Sequence, residues 1–212
     1  MIDNPALREE VARILVERIH AELERQRDLK LQEPNISAGL AGEMRRWDGI
    51  QSRDWSVTCI AQELEDRAKG SAEDISGADI YIAITVRTPE GRVISKGFLV
   101  QAKIGLKPSR TAEIVEQCRK MRAKTDGAYV WIYREKDILV IRADDLLDRV
   151  ARSRDVWPAL SPEDLLDRVL ACREGDLDLG IPDGMTAHDG LKRRLEQLRA
   201  PQALSFEIEE RR

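Results

Sequence analysis

Three polar side chains at the mouth of one β-hairpin carry most of the chemistry this sequence offers. Asp79 closes the segment Ser76-Gly77-Ala78-Asp79, and Gln101 and Lys103 flank Ala102 about twenty residues later. The intervening runs, Asp79 to Val86 and Val93 to Val100, are β-branched and aromatic and read as strands, with Gly97 marking a bulge. Thr88-Pro89-Glu90-Gly91 between them has the composition of a type I turn. Folding the chain about Pro89-Glu90 sets Asp79 opposite Val100, within one residue of Gln101. Side chains two apart on a strand share a face, so Gln101 and Lys103 point together and Ala102 points away. A carboxylate, an amide oxygen and an ammonium group then meet at the hairpin's open end. That set suits a divalent cation and a phosphate.

The arrangement Gly77-Ala78-Asp79, hairpin, Gln101-Ala102-Lys103 resembles the catalytic signature of the PD-(D/E)xK, or restriction endonuclease-like, nuclease superfamily. It is most similar to the Mrr-like variant with glutamine in place of the second acid. The resemblance spans about Glu73 to Tyr133, under a third of the chain. It implies a mixed central β-sheet flanked by helices and a nuclease that hydrolyses DNA with Mg²⁺ or Mn²⁺. Asp79 would anchor the ion, Gln101 and the Ala102 carbonyl would add oxygen ligands, and Lys103 would activate water or stabilise charge on the phosphate. Glutamine is neutral, so a further acid is wanted. The resemblance draws it from an upstream helix, for which Glu43 is the first choice, then Glu73, with Glu33 and Glu63 as further alternatives. Gln117, on the helix after the hairpin, falls where related nucleases carry a polar residue near the phosphate. Restriction or antiphage defence, with partner proteins or a homodimer, is the context the resemblance implies.

Other chemistries lack their parts. His20 and His188 are isolated, so Ser71, Ser76 and Ser95 have no triad partner. Gly39 and Gly42 lack the strand and lysine of a phosphate loop. The three cysteines, Cys59, Cys118 and Cys172, have no zinc spacing and suit a reducing cytoplasm.

The chain that positions these residues has 212 residues, 42% hydrophobic and 35% charged, which fits one globular domain. No apolar run approaches the roughly 20 residues of a membrane span, and the N-terminus lacks the form of a secretory signal. The net charge of −4 argues against a wholly basic DNA-coating protein, but charge is uneven. From Arg92 to Lys124 nine basic residues face only Glu113 and Glu116, which makes Lys107, Arg110, Arg119 and Lys120 the candidate DNA-binding residues.

Residues 1–53 are expected to be helical, with an amphipathic helix from Pro5 to about Arg27 and a second from Asn35 to Trp47. Residues 54–142 form the α/β core. Within it Trp55 to Ile60 favours a strand and Ala61 to Lys69 a helix; Pro108 to Ala123 is a helix, and Ala128 to Tyr133 and Ile138 to Arg142 are strands. Residues 143–212 are expected to be a helical C-terminal extension. The competing reading is a catalytically silent module that keeps this fold and engages a protein partner; neutral Gln101 and the overall acidity favour it.

Overall fold

The computed structural model describes residues 1–28, 33–64, 75–105, 111–134, 137–151 and 158–211. Helices α1 (Pro5–Asp28) and α2 (Glu33–Met44) lead into strands β1 (Ile50–Gln51), β2 (Trp55–Glu63), β3 (Ile80–Arg87) and β4 (Val93–Ile104). Then follow α3 (Thr111–Arg122), β5 (Ala128–Tyr133), β6 (Ile138–Arg142), α4 (Ala143–Ala151) and β7 (Ala159–Leu160). The chain ends with α5 (Pro162–Leu170), α6 (Ala187–Leu198) and β8 (Gln202–Glu210). The strands form one eight-stranded mixed sheet in the order β1-β2-β8-β3-β4-β5-β6-β7. Helices cover both faces, so the fold is mixed α/β, as the sequence indicates. No described helix is long and apolar enough to cross a membrane.

Strand parity divides the core. Ile80, Ile82, Ile84, Phe98 and Val100 pack with Val11, Leu15, Leu40 and Leu165, on the side of α1, α2 and α5. Tyr81, Ala83, Leu99 and Val130 pack with Ile114, Cys118, Leu146 and Leu191, on the side of α3, α4 and α6. Both faces of the central strands are therefore apolar, which is why their sequences run nearly continuously hydrophobic. The N-terminus is tied to α5 by the Ile2 N–H to the Leu170 carbonyl at 3.0 Å and by Arg8 to Asp167 at 3.0 Å.

The hairpin forms, but one residue out of the expected register: the Gly91 N–H donates to the Thr88 carbonyl at 2.9 Å, and Ile80 rather than Asp79 pairs with Val100. The crossover through α3 makes β5 parallel to β4.

Three further expectations need correction. Gly97 is not a bulge: its register with Ala83 is regular, and its N–H and carbonyl exchange 2.8 Å bonds with Asp176. Glycine is required there because a Cβ would lie 2.4 Å from the Leu179 carbonyl. Ala61 to Glu63 continue β2 rather than start a helix, held by pairing with Leu204, Ala203 and Gln202.

Most consequentially, residues 143–212 are not a helical extension. Their last segment, β8, lies inside the sheet, antiparallel to β2 and parallel to β3. Its signal was available: Leu204, Phe206 and Ile208 alternate with Ser205, Glu207 and Glu209.

Candidate functional site

Asp79 immediately precedes β3, and Gln101 and Lys103 lie near the end of β4, so antiparallel pairing brings all three to one end of the sheet. The Asp79 N–H donates to the Val100 carbonyl at 2.9 Å, which fixes the residue beside Gln101. Its carboxylate Oδ2 accepts from the Gln101 amide Nε2 at 2.6 Å and from the Ala102 backbone N–H at 2.7 Å. The same Nε2 lies 3.3 Å from the Ala102 carbonyl. Asp79, Gln101 and Lys103 keep only 8%, 0% and 2% of their exposure, so three polar groups are buried together among apolar strands. Burial of this kind persists only where hydrogen bonds or ion pairs compensate it.

Lys103 finds its compensation on α3. Its Nζ lies 3.1 Å from Glu113 Oε1, a partner the sequence reading did not single out. The ammonium also lies close enough to Cys118, one turn further along α3, to oppose burial in setting that thiol; burial wins and pushes it up to about 12. Only the crossover, which lays α3 over the face shared by Leu99, Gln101 and Lys103, could have revealed Glu113. Its i, i+4 relation to Gln117 was visible, but its pairing with Lys103 was not.

Gln117 is where α3 meets the turn that delivers Asp79. Gly77 has φ +72°, and a Cβ there would stand 2.3 Å from the Gln117 carbonyl. Gly77 thus lets the Ser76–Asp79 turn lie directly on the helix backbone, while the Ser76 hydroxyl accepts from the Ala78 N–H at 3.0 Å. Gly77→Ala is expected to destabilise the protein by about 2–4 kcal/mol, from the left-handed backbone cost plus the steric clash. Denaturant unfolding measures it; a loss below about 1 kcal/mol would mean that the turn can move off α3.

A second group missed in the sequence is Tyr133, the last residue of β5, paired with Ile104. Its hydroxyl is buried with no hydrogen-bond partner among the described residues. Burial, and then the negative charge of Asp79, raise its pKa, so it stays a neutral donor. A buried hydroxyl without a partner costs about 1–3 kcal/mol, and such a cost calls for a reason.

The remaining candidates scatter. Glu43 sits on α2 with Oε2 3.0 Å from Arg25 and Oε1 2.8 Å from Arg46. Glu63 ends β2 and is exposed. Arg119 is exposed and pairs with Glu116 at 3.8 Å, and Lys120 is half-buried on the same helix. Glu73, Lys107, Arg110 and the Glu33 side chain lie outside the described residues.

Among the described residues no group of three His, Cys, Asp or Glu side chains is placed to hold a metal ion. What the hairpin end offers is one carboxylate, one amide and one backbone carbonyl, with an ammonium two residues along the strand. Comparison with family models, curated proteins and solved structures returns no match.

Proposed function

We propose that the chain is a divalent-cation-dependent nuclease of the restriction endonuclease-like type, hydrolysing phosphodiester bonds in DNA. One observation carries this reading: the 2.6 Å contact between Asp79 and Gln101, with Lys103 on the same face of β4 as Gln101. The preference for DNA and a role in restriction or antiphage defence, alone or with partner proteins or as a homodimer, rest on the resemblance.

The donors fit a hard cation because all are oxygens: the Asp79 carboxylate, the Gln101 amide and the Ala102 carbonyl. Mg²⁺ manages with one or two protein carboxylates, since water and substrate phosphate complete its shell. When bound, Mg²⁺ or Mn²⁺ supplies positive charge to the phosphate and makes a bound water more acidic.

The chain's own groups account for the rest. Gln101 donates to Asp79, so the buried carboxylate is held in place in the absence of metal. The two ends of an amide have nearly the same shape, so turning its oxygen inward needs no backbone movement. Lys103 carries the positive charge that a phosphate oxygen or an attacking water needs, and Glu113 holds that ammonium at the site. Tyr133 packs on the other face of the sheet, on the side of α1, α2 and α5, so its hydroxyl is not among the groups that meet the phosphate.

Tyr133→Phe is expected to leave cleavage unchanged and folding stability unchanged, or raised by up to about 1 kcal/mol. Denaturant unfolding and single-turnover cleavage together check it; slower cleavage at unchanged stability would bring the hydroxyl into the site.

A second reading is favoured by the same burial. Asp79, Gln101 and the Ala102 N–H satisfy one another, so the cluster also serves as a buried polar network in a silent module that engages a protein partner. Calorimetric titration with Mn²⁺, beside Mg²⁺-dependent plasmid cleavage, separates the two. The nuclease reading requires both activities in the wild type and the loss of cleavage in Asp79→Ala and Lys103→Ala with folding intact. A wild type that neither binds Mn²⁺ nor cuts plasmid leaves the module.

A further inference from the structure

β8 flanks β2 along its whole length on one side, but on the other β1 pairs only with Ser56 and Val57. From Thr58 to Glu63 the described residues add no further strand, so β2 presents a sheet edge. Two contacts show which groups face it. The Trp55 carbonyl accepts from the Ser52 N–H at 2.8 Å, and the Ala61 carbonyl from Arg45 Nε at 3.4 Å. Alternate residues of a strand turn N–H and C=O to the same side, so Cys59, Ala61 and Glu63 turn theirs outward. A cleft of about 890 Å³ runs beside them, between Arg45 just past α2 and the Lys192, Leu195 and Arg199 ridge of α6 and its C-cap.

We propose that this cleft takes an extended segment of a partner protein, which adds to β2 as an antiparallel strand and alternates acidic with apolar side chains. Shape favours a single strand. The edge borders a cleft that Arg45 lines on one side and α6 on the other, where a single chain can add at the usual spacing of about 4.8 Å. Charge favours acidic side chains: among the described lining residues Arg45 and Lys192 outnumber Glu196, while Arg199 and Glu63 already have partners. Ile60, Leu64 and Leu195 supply the apolar floor.

The other side of β2 sets a precedent for that composition. There it already pairs with β8, whose Leu204, Phe206 and Ile208 alternate with Ser205, Glu207 and Glu209. A nucleic-acid strand fits less well, because among the described lining residues none is aromatic to stack a base and two are carboxylates that would face the phosphates. The inference is independent of catalysis at Asp79.

The probe is a fluorescent peptide with the nine-residue sequence of β8, titrated by anisotropy against the full chain. Binding is expected to weaken at least tenfold when the peptide's glutamates are changed to lysine. It should also weaken at least tenfold in Ala61→Pro, which removes an outward N–H at an edge position where proline is tolerated. Lys192→Glu, an exposed charge reversal that leaves the sheet untouched, should weaken it severalfold. Hydrogen exchange should show the Cys59 and Ala61 amides protected by the peptide, with those of β8 unchanged. No binding to the wild type, or binding by both variants as tight as by the wild type, overturns the proposal. So does oligothymidylate binding that is lost in Lys192→Glu and retained in Ala61→Pro, which would make the cleft a nucleic-acid groove.

Discussion

Asp79→Asn is expected to lower divalent-cation-dependent plasmid cleavage by about 10³-fold or more, the scale seen when a preorganised electrostatic group is removed. The substitution is chosen for what it preserves. An asparagine Oδ1 can still accept from Gln101 Nε2 and the Ala102 N–H, the two bonds that reach Oδ2 at 2.6 and 2.7 Å. Only the negative charge is lost, so folding stability should change by no more than about 1–2 kcal/mol. Mn²⁺ binding by calorimetry should disappear together with cleavage. If Asp79→Asn cuts plasmid at the wild-type rate, Asp79 is a structural cap of β3 and the nuclease reading fails.

Gln101→Glu probes the same pair with the opposite sign. It sets a second carboxylate 2.6 Å from the first, in a position with no solvent exposure. Like charges that close cannot both ionise cheaply, so the pair retains a proton and one of its two pKa values rises strongly. The folded-state acid then exceeds the unfolded glutamate value of about 4.3, so the variant loses stability as pH rises from there through the raised value. Below about pH 4 the penalty is absent; at pH 8 it should reach about 2–4 kcal/mol.

Millimolar Mg²⁺ should offset that loss at pH 8, because two facing carboxylates bind a cation that one carboxylate and an amide bind weakly. Saturation at about 100 times the dissociation constant gives roughly 2.7 kcal/mol. Thermal unfolding with and without Mg²⁺, at pH 4 and pH 8, reads both parts. A variant whose melting temperature ignores pH and Mg²⁺ alike would show that residue 101 does not face Asp79 in solution.

Among these residues the hairpin was legible because its information is local. A turn with proline second and glycine fourth, between two β-branched runs, sets a register to within one residue. Strand parity then puts Gln101 and Lys103 on one face. The core strands and α3 follow from periodicity in the same way. Glu113 and Tyr133 did not follow. Nothing in the spacing from Lys103 to Glu113 says that the crossover returns over that face of β4. Nor does a tyrosine ending an apolar strand announce a buried hydroxyl without a partner among the described residues.

The amino-acid order by itself determined that Asp79, Gln101 and Lys103 share one end of a hairpin, because neighbouring strands joined by a tight turn have little choice of register. It also determined a sheet clothed by helices, because its strands are apolar on both faces. The tertiary structure alone decided which helix supplies the lysine's counter-ion and that the last nine-residue strand enters the sheet between β2 and β3. Among the described residues it pairs no further strand with Thr58 to Glu63 of β2. The place of β8 depends on contacts between segments more than a hundred residues apart, such as β2 with β8. Long-range pairing is selected by the burial of whole faces rather than by any local pattern.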